Sequence, residues 1–216
     1  QIETAGVTAV ALPLLETLDN PQQGLLPRSS PNPRNVFEYT DGEYRIARVD
    51  PAGGIARVEI PGLYADVAVG VDARFVGGGS SRQAFNIAIR KQPDSSSDYR
   101  VGLTNGGREF VFQRFDDGRL GRRLGGDVLP SELIRLNENN RYELGARGDA
   151  LYFMVNGRIV ARAQDSAYQS GSSWTGVLGE GMPAEIRLDN LRVGAPIPRD
   201  EIVLPFPGIR ESVIKN

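Results

Sequence analysis

The 216-residue chain contains no cysteine and no histidine. Without cysteine there is no disulfide framework, and the redox compartment is left open. Without histidine, triads built on Ser-His or Cys-His pairs and zinc sites with histidine ligands are excluded. Carboxylate, lysine, tyrosine and serine chemistry remain. Lysine is nearly absent: 25 basic residues less Lys91 and Lys215 leave 23 arginines. A GC-rich genome accounts for such a bias; bidentate surface pairing, which lysine cannot provide, is the alternative. No apolar run reaches the length of a membrane span, and the longest, Gly6 to Leu15, is broken by Pro13. A net charge of −2 supplies no basic field to attract nucleic acid or acidic lipid.

What is present points to turns and strands. The 26 glycines and 14 prolines suit many turns but are too few for a disordered or collagen-like chain. The length suffices to bury a core without covalent staples. Asp41-Gly42, Asn105-Gly106, Asp117-Gly118 and Asn156-Gly157 each separate runs of alternating hydrophobicity. Two-residue hairpins need positive φ, which Asn or Asp followed by Gly tolerates best. Leu151 to Val155, Asn156-Gly157 and Arg158 to Arg162 therefore read as strand, tight turn, strand.

Further strands are predicted over Glu43 to Val49, Ile55 to Ile60 and Ala65 to Val76. In the last, Val67, Val69, Val71, Ala73 and Phe75 share one face, the period of a half-buried strand. Phe85, Ile87 and Ile89, then Tyr99, Val101 and Leu103, then Phe110 and Phe112, continue the series. Tyr142, Leu144 and Ala146 precede the Asn156 hairpin, and Val177 to Leu178 is a short segment between glycines. In Glu185 to Val193 the apolar phase changes at Asp189-Asn190, the signature of a β-bulge. Asn20 to Pro33 reads as a long surface loop, and Pro130 to Leu136, with Ser131 as cap, as a short turn of helix. This density of short strands implies an antiparallel sandwich or jelly roll.

Both ends differ from the middle. Pro196, Pro198, Pro205 and Pro207 mark an extended tail in which Glu201 to Leu204 and Ser212 to Ile214 are β-prone. Such an arm adds a strand to a neighbour's sheet edge or wraps its own domain. The chain begins at Gln1 rather than Met, which fits a removed secretory signal or a trimmed terminus.

Tyr39 to Ile46, Asp66 to Phe75, Asp98 to Val101, the Val-Asn-Gly-Arg hairpin within Leu151 to Val160, and Glu185 to Val193 occur in an order that resembles bacterial concanavalin A-like (laminin-G-like) jelly-roll domains. The resemblance covers roughly Leu14 to Val193. It implies two antiparallel sheets, one concave, with a glycan or calcium site in many members. It also implies that the chain before Asn20 pairs with the last strand near Asp189.

Enzymes of this superfamily that cleave glycans use a Glu-x-Asp-x-x-Glu strand. Glu38, Asp41 and Glu43 have the wrong spacing and span a turn. Glu185 and Asp189 would stand ~13 Å apart on a regular strand, against about 5–9.5 Å for glycosidase pairs. The carbohydrate-binding candidates are Tyr168 and Trp174, in a Ser/Gly-rich loop, and Asn86, Arg90 and Arg100 on the face opposite the core. For each, packing or solvation is the plainer reading. Asp189 and Asn190 are the weak calcium candidates, set against service to the bulge. Gly77 to Ser81 lacks the strand-to-helix context of a phosphate loop. Arg122-Arg123 reads as surface charge.

The fold expected is all-β: an antiparallel β-sandwich of the concanavalin A-like jelly-roll type over residues 13–195, with an N-terminal arm (1–12) and a C-terminal arm (196–216). The function expected first is a non-catalytic, extracellular or cell-surface structural protein. It would self-associate through Val7, Val10, Leu12, Ile202, Val203, Leu204, Phe206, Ile209, Val213 and Ile214, with other copies of itself as partner. A carbohydrate-binding module is the alternative and a histidine-free glycosidase the third reading. No cofactor is expected apart from the calcium alternative, and neither nucleic acid nor membrane insertion.

Overall fold

The structure, a computed structural model, describes residues 13–93 and 96–203. Its first strands are β1 (Leu14–Glu16), β2 (Asn35–Thr40), β3 (Glu43–Arg48), β4 (Gly53–Tyr64), β5 (Val67–Phe75), β6 (Gln83–Lys91) and β7 (Asp98–Thr104). Then come β8 (Glu109–Asp116), β9 (Arg119–Val128), β10 (Asn140–Arg147), β11 (Ala150–Val155), β12 (Arg158–Gln164), β13 (Gly171–Glu180) and β14 (Ala184–Gly194). A short helix, α1 (Arg199–Val203), follows. The Asx-Gly pairs form the β2–β3, β7–β8, β8–β9 and β11–β12 turns, all eight residues at positive φ between 47° and 81°. Pro130 to Leu136 contains one turn of 3-10 helix (Ser131–Leu133), without a side-chain cap.

The strands form two antiparallel sheets. The eight-stranded sheet runs β12-β11-β10-β5-β14-β3-β2, with β1 also against β14; the six-stranded sheet runs β4-β13-β6-β7-β8-β9. One side of β14 is taken by β5. Its other side is shared by β3, as far as Leu188, and by β1, which pairs Leu14 with Val193 and Glu16 with Leu191. The start of the sandwich thus pairs with its last strand, as the resemblance implied.

A β-bulge interrupts β14. Asp189 faces Asp72 while Arg192 faces Gly70, so the strand carries one extra residue there. Asn190 takes φ 50°. Its amide donates to Asp189 Oδ1 (2.7 Å), its Nδ2 to Asp72 Oδ2 (2.8 Å), and its carbonyl accepts from Arg141 Nη1 (2.6 Å). These side chains satisfy backbone groups released from the ladder. Among the described residues no group of three or more acidic side chains is arranged to hold a metal ion.

The core lies between the sheets. Val67, Val69, Val71 and Ala73 of β5 are buried against a layer that includes Phe85, Ile87, Val101 and Phe112. On the outer face of the eight-stranded sheet the arginines form paired ladders: Glu38–Arg45 (2.9 Å), Arg45–Glu185 (2.8 Å) and Glu185–Arg187 (3.0 Å). Arg74 grips Glu43 through both Nε and Nη2, at 3.0 and 2.6 Å. Planar forks make such bidentate pairs and ammonium groups do not.

The segment after β14 corrects one expectation. It crosses the outer face of the eight-stranded sheet, where Ile197 and Ile202 pack on Ala68, Ala150, Tyr152, Met154 and Ile159. Ile202 is buried on its own domain and is not free to pair with another chain. The β-prone stretch from Glu201 starts as the helix α1, fixed by Arg199–Asp149 (2.9 Å) and by Arg162 Nη2 donating to the Glu201 carbonyl (2.9 Å). Val203 is partly exposed. Val7, Val10, Leu12, Leu204, Phe206, Ile209, Val213 and Ile214 lie outside the described residues.

Candidate functional site

β13 is longer than expected. Val177-Leu178 lies within a ten-residue strand bonded to β4 on one side and β6 on the other. Trp174 therefore sits in a strand and not in a loop. Gly176 explains why alternation is hard to see there: a Cβ would come within 2.2 Å of the Ala56 carbonyl oxygen.

Strand pairing aligns a row of side chains across the face of the six-stranded sheet turned away from the core. Glu59 on β4 faces Trp174 on β13, which faces Ala88 on β6. Ala88 faces Arg100 on β7, then Gln113 on β8 and Arg123 on β9. The adjacent row reads Arg57, Gly176, Asn86, Gly102, Val111, Gly126. Its glycines keep the relief low: Asn86 Oδ1 lies 3.2 Å from where a Cβ of Gly102 would stand. No strand or helix of the described residues packs across this face as α1 packs on the other sheet.

Trp174 is fully buried. Its Nε1 donates to Asp98 Oδ2 (2.9 Å), and Arg100 Nη2 donates to the same oxygen (2.9 Å). The Arg100 guanidinium lies 4.7 Å from the Trp174 ring and 4.0 Å from the Phe115 ring. Arg57 lies over the indole at 5.6 Å. Glu59 stands between two cations, Arg57 at 3.7 Å and Lys91 at 3.9 Å. Within this cluster Asp98 Oδ1 and Arg100 Nε are buried without a hydrogen-bond partner. Arg100 is thus clamped by two rings and a carboxylate, while Arg57, Glu59, Gln113 and Arg123 supply donors and acceptors around it.

Of the five carbohydrate candidates, Asn86, Arg100 and Trp174 share this face. Trp174 is a packed base under the arginines, not an open platform. Arg90 is elsewhere. Ser172 pairs with Lys91 but Trp174 with Ala88, so a one-residue bulge falls at Arg90, whose φ is 53°. The bulge takes its side chain out of the Asn86–Ala88 face. It is fully buried and donates to the carbonyls of Ala65 (2.8 Å), Gly148 (2.7 Å) and Tyr168 (3.0 Å), tying three loops together. Burial lowers its affinity for the proton.

Tyr168 is in a loop, as expected, but at the end of the sandwich. Its ring packs on Tyr99 at 5.6 Å, its amide donates to the Tyr99 hydroxyl, and its own hydroxyl donates to Asp116. It has no place on the Trp174 face. Sequence reasoning missed Arg57, Glu59, Lys91, Asp98, Gln113 and Phe115. The available signal was period two: Arg57 and Glu59 alternate with Ala56, Val58 and Ile60 on β4, and Asp98 with Arg100 on β7. Arg122-Arg123 is split by its strand, Arg123 joining the row and Arg122 turning to the opposite side with Arg114.

No family model and no curated protein matches the sequence. Solved structures do match the fold. A carbohydrate-binding module (CBM66) from Bacillus subtilis is 19% identical, with 74% of this chain and 92% of that one covered and a TM-score of 0.61. A Bacillus licheniformis beta-glucanase is 14% identical over 85% of this chain and 98% of that one, TM-score 0.63. A prokaryotic beta-1,3-1,4-glucanase (lichenase) from a mouse hindgut metagenome is 11% identical over 85% and 99%, TM-score 0.63. The protein has the concanavalin A-like β-sandwich fold shared by these binding modules and glycoside hydrolases.

The matches correct the expectation of a non-catalytic protein. Glucanases are built on this sandwich, and glycosidases work with paired carboxylates, so the lack of histidine and cysteine does not exclude hydrolysis. No self-associating structural protein is among these three matches.

Proposed function

We propose that this protein binds carbohydrate on the outer face of the six-stranded sheet, along the row from Glu59 to Arg123. The observation that carries this reading is the clamped Arg100. A guanidinium already fixed by Asp98, Trp174 and Phe115 loses little freedom when a sugar hydroxyl accepts from it. Glu59 accepts, Gln113 does both, and Arg57 donates, a mixture suited to hydroxyl groups. The row crosses six strands, about 24 Å at about 4.8 Å per interstrand step, which is room for a short oligosaccharide. A glycan array followed by titration tests this, with Arg57→Ala as the variant. Arg57 is partly exposed and its one ion pair is loose, so the fold survives its loss. Trp174→Ala is the wrong control, because a fully buried indole is removed.

Hydrolysis is the second reading, favoured by the glucanases among the matches. Glu59 and Asp98 are acids of this face, three strands apart. Three interstrand steps and a two-residue offset along β7 put their backbones ~16 Å apart, against about 5–9.5 Å between glycosidase carboxyl groups. Release of reducing ends from a β-glucan panel, lost in Glu59→Gln with the melting temperature unchanged, would establish it.

A further inference from the structure

Where β9 of the smaller sheet meets β12 of the larger, an open cavity of about 410 Å³ is walled by Arg114, Arg122, Asp149, Gln164, Asp165 and Ser166. That volume is in the range of small-ligand sites, yet the walls are polar. Asp165 anchors it. Its side chain is 2% exposed. It accepts from the Tyr99 hydroxyl (2.6 Å), Arg114 Nη1 (2.9 Å), the Ala167 amide (3.0 Å) and Arg122 Nη1 (3.1 Å).

The two arginines are used differently. Arg114 is spent within the protein, with Nε and Nη2 on Asp116 and Nη1 on Asp165. Arg122 engages only Nη1, on Asp165 and the Gln164 carbonyl. Its Nε/Nη2 edge has no protein partner among the described residues, and its side chain is 57% exposed. Asp149 uses Oδ1 on Arg199 and is 41% exposed, leaving an acceptor on the same cavity. Three arginines (114, 122 and 199) balance three aspartates (116, 149 and 165), so no net charge selects an ion.

We propose that this cavity is a second binding site, for a neutral ligand carrying adjacent hydroxyl groups. One hydroxyl accepts from the free fork of Arg122 while its neighbour donates to Asp149. A monosaccharide and the end of a glycan chain share that chemistry. The site is independent of the Trp174 face: it uses other residues at another place on the sandwich.

The test is an NMR titration observing arginine Nε–H signals. The probes are methyl α-D-glucopyranoside, methyl α-D-mannopyranoside and methyl β-D-galactopyranoside, with glucuronate as the anionic arm and a β-glucan oligosaccharide as the chain-end arm. The expected result is a saturable shift of the Arg122 signal with at least one methyl glycoside or with the oligosaccharide. Asp149→Asn should weaken it about tenfold, the scale of one charge-assisted hydrogen bond. Arg122→Lys keeps the charge, loses the fork and should abolish binding at this site. Arg57→Ala should leave it unchanged, which separates this site from the sheet face. No saturable shift up to about 100 mM, near the weakest affinity such a titration resolves, overturns the proposal, as does a response to glucuronate alone.

Discussion

Replacing Trp174 by Phe removes one of the two donors to Asp98 Oδ2 and leaves Arg100 as the other. The indole N–H donates at 2.9 Å to Asp98, a fully buried carboxylate whose other oxygen already lacks a partner. Losing a hydrogen bond to a buried charged group costs about 1.5–3 kcal/mol. The smaller ring leaves unfilled space beneath Arg57 and Arg100, adding about 1 kcal/mol. A total of about 3 kcal/mol lowers the melting temperature by roughly 6–12 °C for a domain of this size. Denaturation followed by far-UV circular dichroism is the assay, because the variant has no tryptophan left. A cycle with Asp98→Ala isolates the pair, with an expected coupling of at least about 1.5 kcal/mol. A variant within about 0.5 kcal/mol of the parent, or strict additivity, would refute the idea that the indole and the carboxylate hold this face together.

Arg90→Met should cost about 3–5 kcal/mol, because the fully buried guanidinium that joins three loop carbonyls is removed; urea denaturation reads this, and near-parental stability would contradict it. Burial pushes the Asp165 carboxyl up, but hydrogen bonds from Tyr99, the Ala167 amide and Arg114 outweigh it and hold it below the ordinary range. Its contribution to stability is therefore complete above the unfolded value of about 3.9 and is lost as pH falls through the lower folded value. The gap in melting temperature between parent and Asp165→Asn should stay constant at neutral pH and close below about pH 4. A gap that stays constant to low pH would show that this carboxylate is not the linked group.

The local part of the fold was legible in the sequence. Each Asx-Gly pair specifies its hairpin through backbone angles that few other residues tolerate. β5 was legible because one of its faces is core and the other carries Asp72 and Arg74. The phase change in β14 was legible because a bulge leaves the apolar residues out of step. The interior strand β13 was not. It is bonded on both sides and crowded on both faces, so small residues replace alternation. At Arg90 alternation misled: an unannounced bulge turned a side chain expected beside Asn86 towards the carbonyls of three loops. The segment around Ile202 was read as β-prone from its side chains, but an apolar patch on its own sheet captured it as a helical turn. The candidate site was half legible, because Asn86, Arg100 and Trp174 were found while their partners on β4, β7 and β8 required the register.

Trp174 is the single tryptophan, and two arginines of the proposed binding face lie over its ring. Its fluorescence therefore reports directly on ligands that engage them. Titration with β-glucans, fructans and galactans should give a saturable change with at least one, and Arg57→Ala should weaken it about tenfold or more. A flat response across the panel, or a response that Arg57→Ala leaves unchanged, would contradict carbohydrate binding at this face.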